Sequence, residues 1–507
     1  MMRSSTMRAV LTATVAALWL AALALAGPAP AAAATDTHRA GVLPDGAVWE
    51  ADLPSNWNGT LLLFSHGYGP TTPQDAPDPT TQQYLVDDGY ALAGSSYDPK
   101  GSDWALDSAV RDQFQTLAAV KRSVLPSRPK RVIAVGQSMG GLISALEDQD
   151  SDGRLNGSLT TCGLVSGAVN LENYQLDGSW AISALLAPAE HIQLAGYQTP
   201  AQAALAATEL QQAAQSAQNT PAGRARLALA SAFYNVPTWT ATNLLSANTN
   251  PLVPAAGGPA PANDYAEEEQ EQYNTQYAPG SIVLPFIQTG RWSIEQAVGG
   301  QPAWDAGVNF AKILAASPYR AEVTALYKQA GLNLGADLRT LTRGAGIKAQ
   351  LPALRKTIST SVATGRLQVP ELDIHTIADQ LIPVQQESFY RQTVKAAGDA
   401  RLLRQAYVFG QGHCNFTSAE IIAALHALEH RINTGKWGKA TTVASLNSEV
   451  KALDEGGGTY VPYSPGVLTA TNEPFDAKRQ ATRSPGLGSL PAVGSTPLPL
   501  PVGLPTL

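Results

Sequence analysis

Short apolar runs of strand length recur in the first third of the chain and again toward its end. Residues 61–65, 91–96, 131–135 and 159–165 are such runs, aliphatic or β-branched in character. Between the second and third, Leu106, Val110, Phe114, Leu117 and Val120 fall at helical spacing. Strands alternating with helices predict βαβ units and a mainly parallel sheet, an α/β class of fold. The rhythm stops near residue 170. It resumes with a strand over 371–377, a helix from about Val384 and a strand over 405–409. Thr417-Ser418-Ala419-Glu420 is a capping box that opens a further helix.

Residues 171–365, between the two halves of this rhythm, are rich in Ala and Gln and read mostly as helix. Thr199-Pro200 and Thr220-Pro221 have the form of an N-cap followed by a proline in the first helical position. The stretch 251–261 is a Pro/Gly/Ala-rich loop. The acidic run 267–271 is expected to be a solvated face, with no histidine near enough to suggest a metal. Beyond Gly456 the chain is rich in Pro and Gly; Tyr460, Tyr463 and Phe475 are expected to dock its first part and 485–507 to be disordered.

The amino terminus reads as an export signal over 1–34. Arg3 and Arg8 precede an apolar stretch from Ala9 to Ala26, and Ala32-Ala33-Ala34 offers a small-residue cleavage pattern. An uncleaved anchor is the other reading of so long a stretch, and no later segment is apolar enough to span a bilayer. The resulting division is a signal over 1–34, core over 35–170, a helical insertion over 171–365, core over 366–450 and a tail over 451–507.

Composition narrows the function. Of the 507 residues, 44% are apolar and 15% charged, so a large core is available and wholesale disorder is excluded. The low charged fraction and the net charge of −7 argue against a nucleic-acid partner, which requires a basic face. Removing 1–34 takes away two arginines and no acid, leaving 32 cations against 41 anions, a net of −9. Two cysteines, Cys162 and Cys414, allow neither a disulfide-dense scaffold nor a four-cysteine zinc site, and export places them where they can bond to each other.

The run 131–135 leads directly into Gly136-Gln137-Ser138-Met139-Gly140-Gly141 and then a helical stretch. A turn this tight between strand and helix needs glycine on both sides of the serine and holds the Ser138 hydroxyl above the sheet edge, at a helix N-terminus. A nucleophilic serine needs a base, a group to orient the base, and donors for the oxyanion. Asp379 follows the strand 371–377 and His413 the strand 405–409, both where a parallel sheet presents its carboxyl ends. Asp373 is the rival acid, but it lies within its strand. After the run 61–65, His66-Gly67-Tyr68-Gly69 can aim a backbone N–H at the serine; the Tyr68 and Met139 amides are the expected oxyanion donors, with His66 supporting the loop.

Taken together, the GQSMGG elbow, the HGYG loop, the ADQLIP turn and the GHC loop resemble the α/β-hydrolase fold, and within it secreted bacterial esterases with a large inserted cap. The resemblance covers about 40–170 and 366–450 and implies that 171–365 is a cap or lid over the serine. The elbow is more like those of esterases and lipases than the GGSYG type usual in secreted tripeptidyl aminopeptidases. Feruloyl esterases and tannases that bridge a cysteine beside the serine to one beside the histidine have a similar His-Cys pair. Here position 137 is Gln, so Cys414 can bond only to Cys162. The resemblance implies an exported enzyme cleaving a carboxylic ester of a small or lipophilic substrate through an acyl-enzyme, with no cofactor and no metal. Trp180, Tyr234, Trp239, Phe286 and Trp292 in the insertion are expected to favour a sizeable apolar group. A serine peptidase or amidase with the same triad is the first alternative, and an idle binding module on the same scaffold the second.

Other motifs point elsewhere more weakly. His426-Ala427-Leu428-Glu429-His430 fits H-x-x-E-H, but its helix already has a core stripe and no third zinc ligand is near. Asp148 to Gly153 begins like a calcium loop, yet Leu159 stands where a bidentate Glu is needed. His375, inside a strand, reads as a packed histidine.

Overall fold

The computed structural model describes residues 37–69, 71–239, 260–453 and 459–470. The expected export signal over 1–34, most of the stretch 251–261 read as a loop, Phe475 and the end of the tail lie outside the described residues.

Among the described residues, nine strands form one sheet in the order β1-β2-β4-β3-β5-β6-β7-β8-β9. They are β1 Thr37–Val42, β2 Val48–Leu53, β3 Thr60–Ser65, β4 Ala91–Ser95, β5 Arg131–Gln137, β6 Gly157–Thr161, β7 Glu371–Ala378, β8 Leu403–Gln411 and β9 Tyr460–Val461. From β4 through β3, β5, β6, β7 to β8 the pairing is parallel, and β1, β2 and β9 add antiparallel edges. Leu61 and Leu63 of β3 face a cluster with the helix Ala109–Ser123, while Leu62 and Phe64 face the opposite cluster with the helix Ser418–Thr434. Burial on both faces explains why β3 reads as an unbroken apolar run rather than an alternating one. This sheet, flanked by helices and interrupted by a large helical insertion, is the expected α/β-hydrolase fold.

The insertion leaves the sheet after β6 and returns at β7, and its helices run from Ala168–Leu186 to Leu351–Ser361. It has a core of its own, built on Leu210, Leu229, Phe233, Leu284, Trp304 and Phe310 among others. Both Thr-Pro starts are N-capped, and Thr199 makes the full capping box with Gln202. A third cluster joins insertion to sheet: Trp104, Met139, Leu164, Leu171, Ile294, Leu381 and Ile382 meet there, around the elbow.

Two expectations are corrected, and two strands are added to those read from the sequence. The strand read over 159–165 ends at Thr161: Cys162 turns into the left-handed region at φ 48°, and Leu164 and Val165 pass into the cluster around the elbow. The acidic run 267–271 is not wholly solvated, because Glu269 is buried on the inner side of the helix Tyr265–Gln276. The strands β1 and β2 had no counterpart in the sequence pattern; β1 is exposed along most of its length and carries no apolar period. At the other end, Tyr460 is buried in β9 with its hydroxyl donating to the Glu420 carbonyl, while Tyr463 is half-exposed against Tyr407.

Candidate active site

The turn between β5 and the helix Met139–Gln149 holds Ser138 at φ 59°, ψ −121°, a conformation disfavoured for any residue with a side chain. The Ser138 N–H donates to the Thr161 carbonyl of β6, and the Gly141 N–H donates to the Ser138 carbonyl, so neighbouring backbone fixes the turn on both sides. Glycine is required by contact: a Cβ on Gly136 would lie 1.9 Å from the Gly140 carbonyl oxygen, and one on Gly140 would lie 1.8 Å from that of Ser65. The helix therefore packs hard against β3 and β5 and leaves the Ser138 hydroxyl above the sheet.

His413 lies between Ser138 and Asp379. Its Nε2 is 2.7 Å from Ser138 Oγ and its Nδ1 is 2.7 Å from Asp379 Oδ2. A carboxylate only accepts, so Nδ1 carries a proton and Nε2 is left to accept the Ser138 hydroxyl proton. Asp379 Oδ1 accepts from the Leu381 and Ile382 backbone N–H groups, at 2.9 and 2.8 Å. Burial opposes its charge, but the charge on His413 and hydrogen bonds from His375 and His413 hold its pKa down at about 2. The rival Asp373 is elsewhere: it accepts from Thr160 Oγ1 at 2.7 Å, and burial among other acids raises its pKa well above the usual carboxylate range.

The glycine turn after β3 reaches the serine. A Cβ on Gly67 would stand 3.3 Å from Ser138 Cβ, and Tyr68 and Met139 flank Ser138 in the wall of one cavity. His66 braces that loop by bonding to Gly67 O and Ser96 O and stacking on Tyr97 at 4.1 Å, while the Tyr97 hydroxyl donates to the His66 carbonyl. Cys162 and Cys414 are joined by a disulfide, which ties the loop next to His413 to the end of β6; Cys414 Sγ is 3.3 Å from His413 Nε2.

The cavity over Ser138 holds about 430 Å³ of empty space, part of it open to solvent. Sheet and insertion share its wall: Trp104, Leu164 and Leu381 from the core face Phe286, Ile287 and Ile294 from the helix Val283–Val298. Gln175 supplies a polar edge. Tyr68 connects the two bodies, with its hydroxyl 2.7 Å from Ser293 Oγ and its ring edge-on to Phe286 at 5.4 Å.

Of the five insertion aromatics expected to form this wall, Phe286 alone lines the cavity. Tyr234 is buried in the insertion's core, Trp292 packs against it, Trp180 Nε1 donates to Leu341 O, and Trp239 meets Phe409 at a tilted angle. An insertion of this size needs its large side chains for its own interior. Trp104, Tyr68 and His375 stand at or behind the site instead. The sequence signal for His375 is the polar alternation Glu371, Asp373, His375 along a strand whose neighbours are apolar.

The weaker motifs do not form metal centres. His426 pairs with Glu449 and Asp88, and Glu429 accepts from Tyr90. Asp148 is buried, accepting from the Gln368 and Val369 N–H groups, while Asp150 and Asp152 pair with Arg154. Among the described residues, the one group with metal-ligand spacing is Cys162, His413 and Cys414, and there both sulfurs are bonded to each other. Among these residues, no helix is long and apolar enough to cross a membrane.

No family model matches the sequence. The chain is 28% identical over 447 residues to an o-phthalyl amidase from Xanthobacter agilis, a span of 83% of this chain and 92% of that enzyme. Feruloyl esterase B from Aspergillus oryzae is 15% identical, covers 78% of this chain and 80% of its own, and superposes with a TM-score of 0.40. The acylaminoacyl peptidase of Pyrococcus horikoshii is 10% identical with a TM-score of 0.31; the match covers 78% of this chain but spans only 40% of that one. These two distant likenesses bear on neither substrate nor mechanism.

Proposed function

We propose that this chain, a hydrolase of the α/β-hydrolase superfamily by its fold and its amidase relative, cleaves an amide of an apolar or aryl carboxylic acid by way of an acyl-enzyme on Ser138. The observation that carries the reading is His413, placed 2.7 Å from both the Ser138 hydroxyl and the Asp379 carboxylate beneath an apolar cavity.

In this reading Ser138 Oγ attacks the substrate carbonyl as His413 Nε2 takes its proton. Asp379 stabilises the imidazolium that forms and fixes the ring. The tetrahedral oxyanion takes hydrogen bonds from the Tyr68 and Met139 N–H groups, each worth ~10²–10³ in rate in comparable sites. His413 then gives its proton to the leaving amine, and water repeats the sequence to release the acid. The insertion covers the acyl group and excludes water during acylation. Amide over ester is the choice because the Xanthobacter relative is an amidase; the same machinery performs ester cleavage, the reading its GQSMGG elbow suggests. Export through 1–34 belongs to the same proposal and rests on the sequence.

The test compares kcat/KM for matched aryl amides and esters of one acid, in the mature enzyme and in Ser138→Ala. Amide turnover that disappears in the variant supports the reading. Ester turnover with no amide cleavage above background replaces amidase by esterase.

A further inference from the structure

We propose that His375 is a positioning residue: a buried imidazolium that holds the Asp379 carboxylate ionised and aimed at His413. The proposal rests on the reading of Ser138, His413 and Asp379 as the catalytic triad.

Hydrogen-bond chemistry defines the charge of the ring. His375 is fully buried in β7, with Nε2 2.8 Å from the Ile382 carbonyl oxygen and Nδ1 3.0 Å from Glu387 Oε1. A backbone carbonyl only accepts. The other Glu387 oxygen accepts a hydrogen bond from Gln405 Nε2 at 2.5 Å. Both ring nitrogens thus lie at hydrogen-bond distance from oxygen atoms, an arrangement that a doubly protonated ring satisfies in full. Burial opposes that charge, but the hydrogen bonds to Asp379 and Glu387 raise the ring's pKa to about 10.

The same geometry joins the ring to Asp379. Its Nε2 is 3.5 Å from Asp379 Oδ2, the oxygen that receives His413 Nδ1. Ile382 closes the arrangement, donating its N–H to Asp379 Oδ1 and offering its carbonyl to His375. Neutral His375 would leave a fully buried carboxylate facing His413 with less to hold it. The other titratable groups around the ring are accounted for. Asp373 connects to Glu387 through Gln405, and Arg391 donates to Gln405 Oε1. Tyr407 of β8 pairs with His375 in register, and Tyr174 from the insertion donates to the Leu381 carbonyl beside Asp379.

A cation on the far side of Asp379 offsets part of the negative field at His413. Removing it strengthens that field and moves the acid limb of the pH–kcat/KM profile upward; removing Glu387's charge moves it downward. Through a medium of effective dielectric ~20, one charge on the far side of a shared carboxylate shifts the limb by about one pH unit once partial pairing is allowed for.

The experiment measures the limb in His375→Gln and Glu387→Gln. The expected result is a shift of about +1 in the first and a smaller shift of opposite sign in the second, with kcat falling more than KM rises. A second measurement needs no variant: ¹⁵N-histidine spectra of the wild-type protein should show one ring with both nitrogens protonated from about pH 5 to about pH 9. An acid limb unmoved in both variants, or a neutral His375 ring at pH 7, overturns the proposal. Turnover surviving in Ser138→Ala would instead move the chemistry to another nucleophile, a separate failure that leaves the ring spectrum unchanged.

Discussion

At the residue scale, three side chains are kept in states that water would not favour. Ser138 occupies a left-handed backbone conformation because β3, β5 and β6 leave its turn no alternative. His413 keeps its proton on Nδ1 because the group facing that nitrogen is a carboxylate. Asp379 stays ionised although fully buried, since two backbone N–H groups and two imidazoles surround it. Neutralising it without changing its size should therefore disturb chemistry more than folding. Asp379→Asn is expected to lower kcat by about 10⁴-fold, because the amide stabilises the wrong tautomer of His413, and adding Ser138→Ala should cost little more. Steady-state kinetics beside circular dichroism reads both; a loss under tenfold would show that Asp379 does not orient the base.

At the element scale, the loop after β8 carries His413 but is anchored from outside itself. The Cys162–Cys414 disulfide joins it to the end of β6 across 252 residues, a span that contains the whole insertion. Chain-entropy reasoning gives a loop this long about 5 kcal/mol of stabilisation, with measured gains often smaller. Replacing both cysteines by alanine should lower Tm by several degrees and lower kcat through a less constrained His413. Unchanged Tm and kcat in that variant would mean that the strands alone hold the loop. The insertion teaches a complementary lesson about helices. Its Ala-rich periodicity and Thr-Pro caps announce helices in the sequence, and those helices form. Which of its aromatics would face the substrate was not readable, because Tyr234 and Phe286 look alike until a neighbouring helix covers one of them.

At the scale of the whole molecule, the interior holds many carboxyl groups whose protonation is linked to folding. Burial raises Asp112 and Asp305 to about 6 and Asp148, Glu172 and Glu269 to about 7. A carboxyl with a raised native pKa contributes its full stability below its unfolded value near 4 and loses it as pH rises through the native value. Asp379 works the other way, with a contribution lost only as pH falls toward about 2, so it is intact across this range. The sum predicts a Tm that falls by about 5 °C or more between pH 5 and pH 8 at constant ionic strength. A flat or rising Tm over that interval, in calorimetry of the disulfide-intact protein, would mean that water relieves these acids.

What the sequence determined by itself is local or periodic. The parallel strands announce themselves by unbroken apolar runs because both faces are buried, and the elbow by glycines that no other residue could replace. Ser138, Asp379 and His413 can each be placed at a strand's carboxyl end from these patterns. Strand β1, by contrast, has no apolar period and exists because β2 offers it a ladder of hydrogen bonds. The distances from His413 to its two neighbours, the division of aromatics between core and cavity, and the imidazolium at His375 arise only when the sheet, the insertion helices and the helix Gln385–Ala397 pack together. Periodicity records which face of an element avoids water. It carries no information about which polar atoms, 12 or 275 residues apart in the chain, will meet at hydrogen-bond distance.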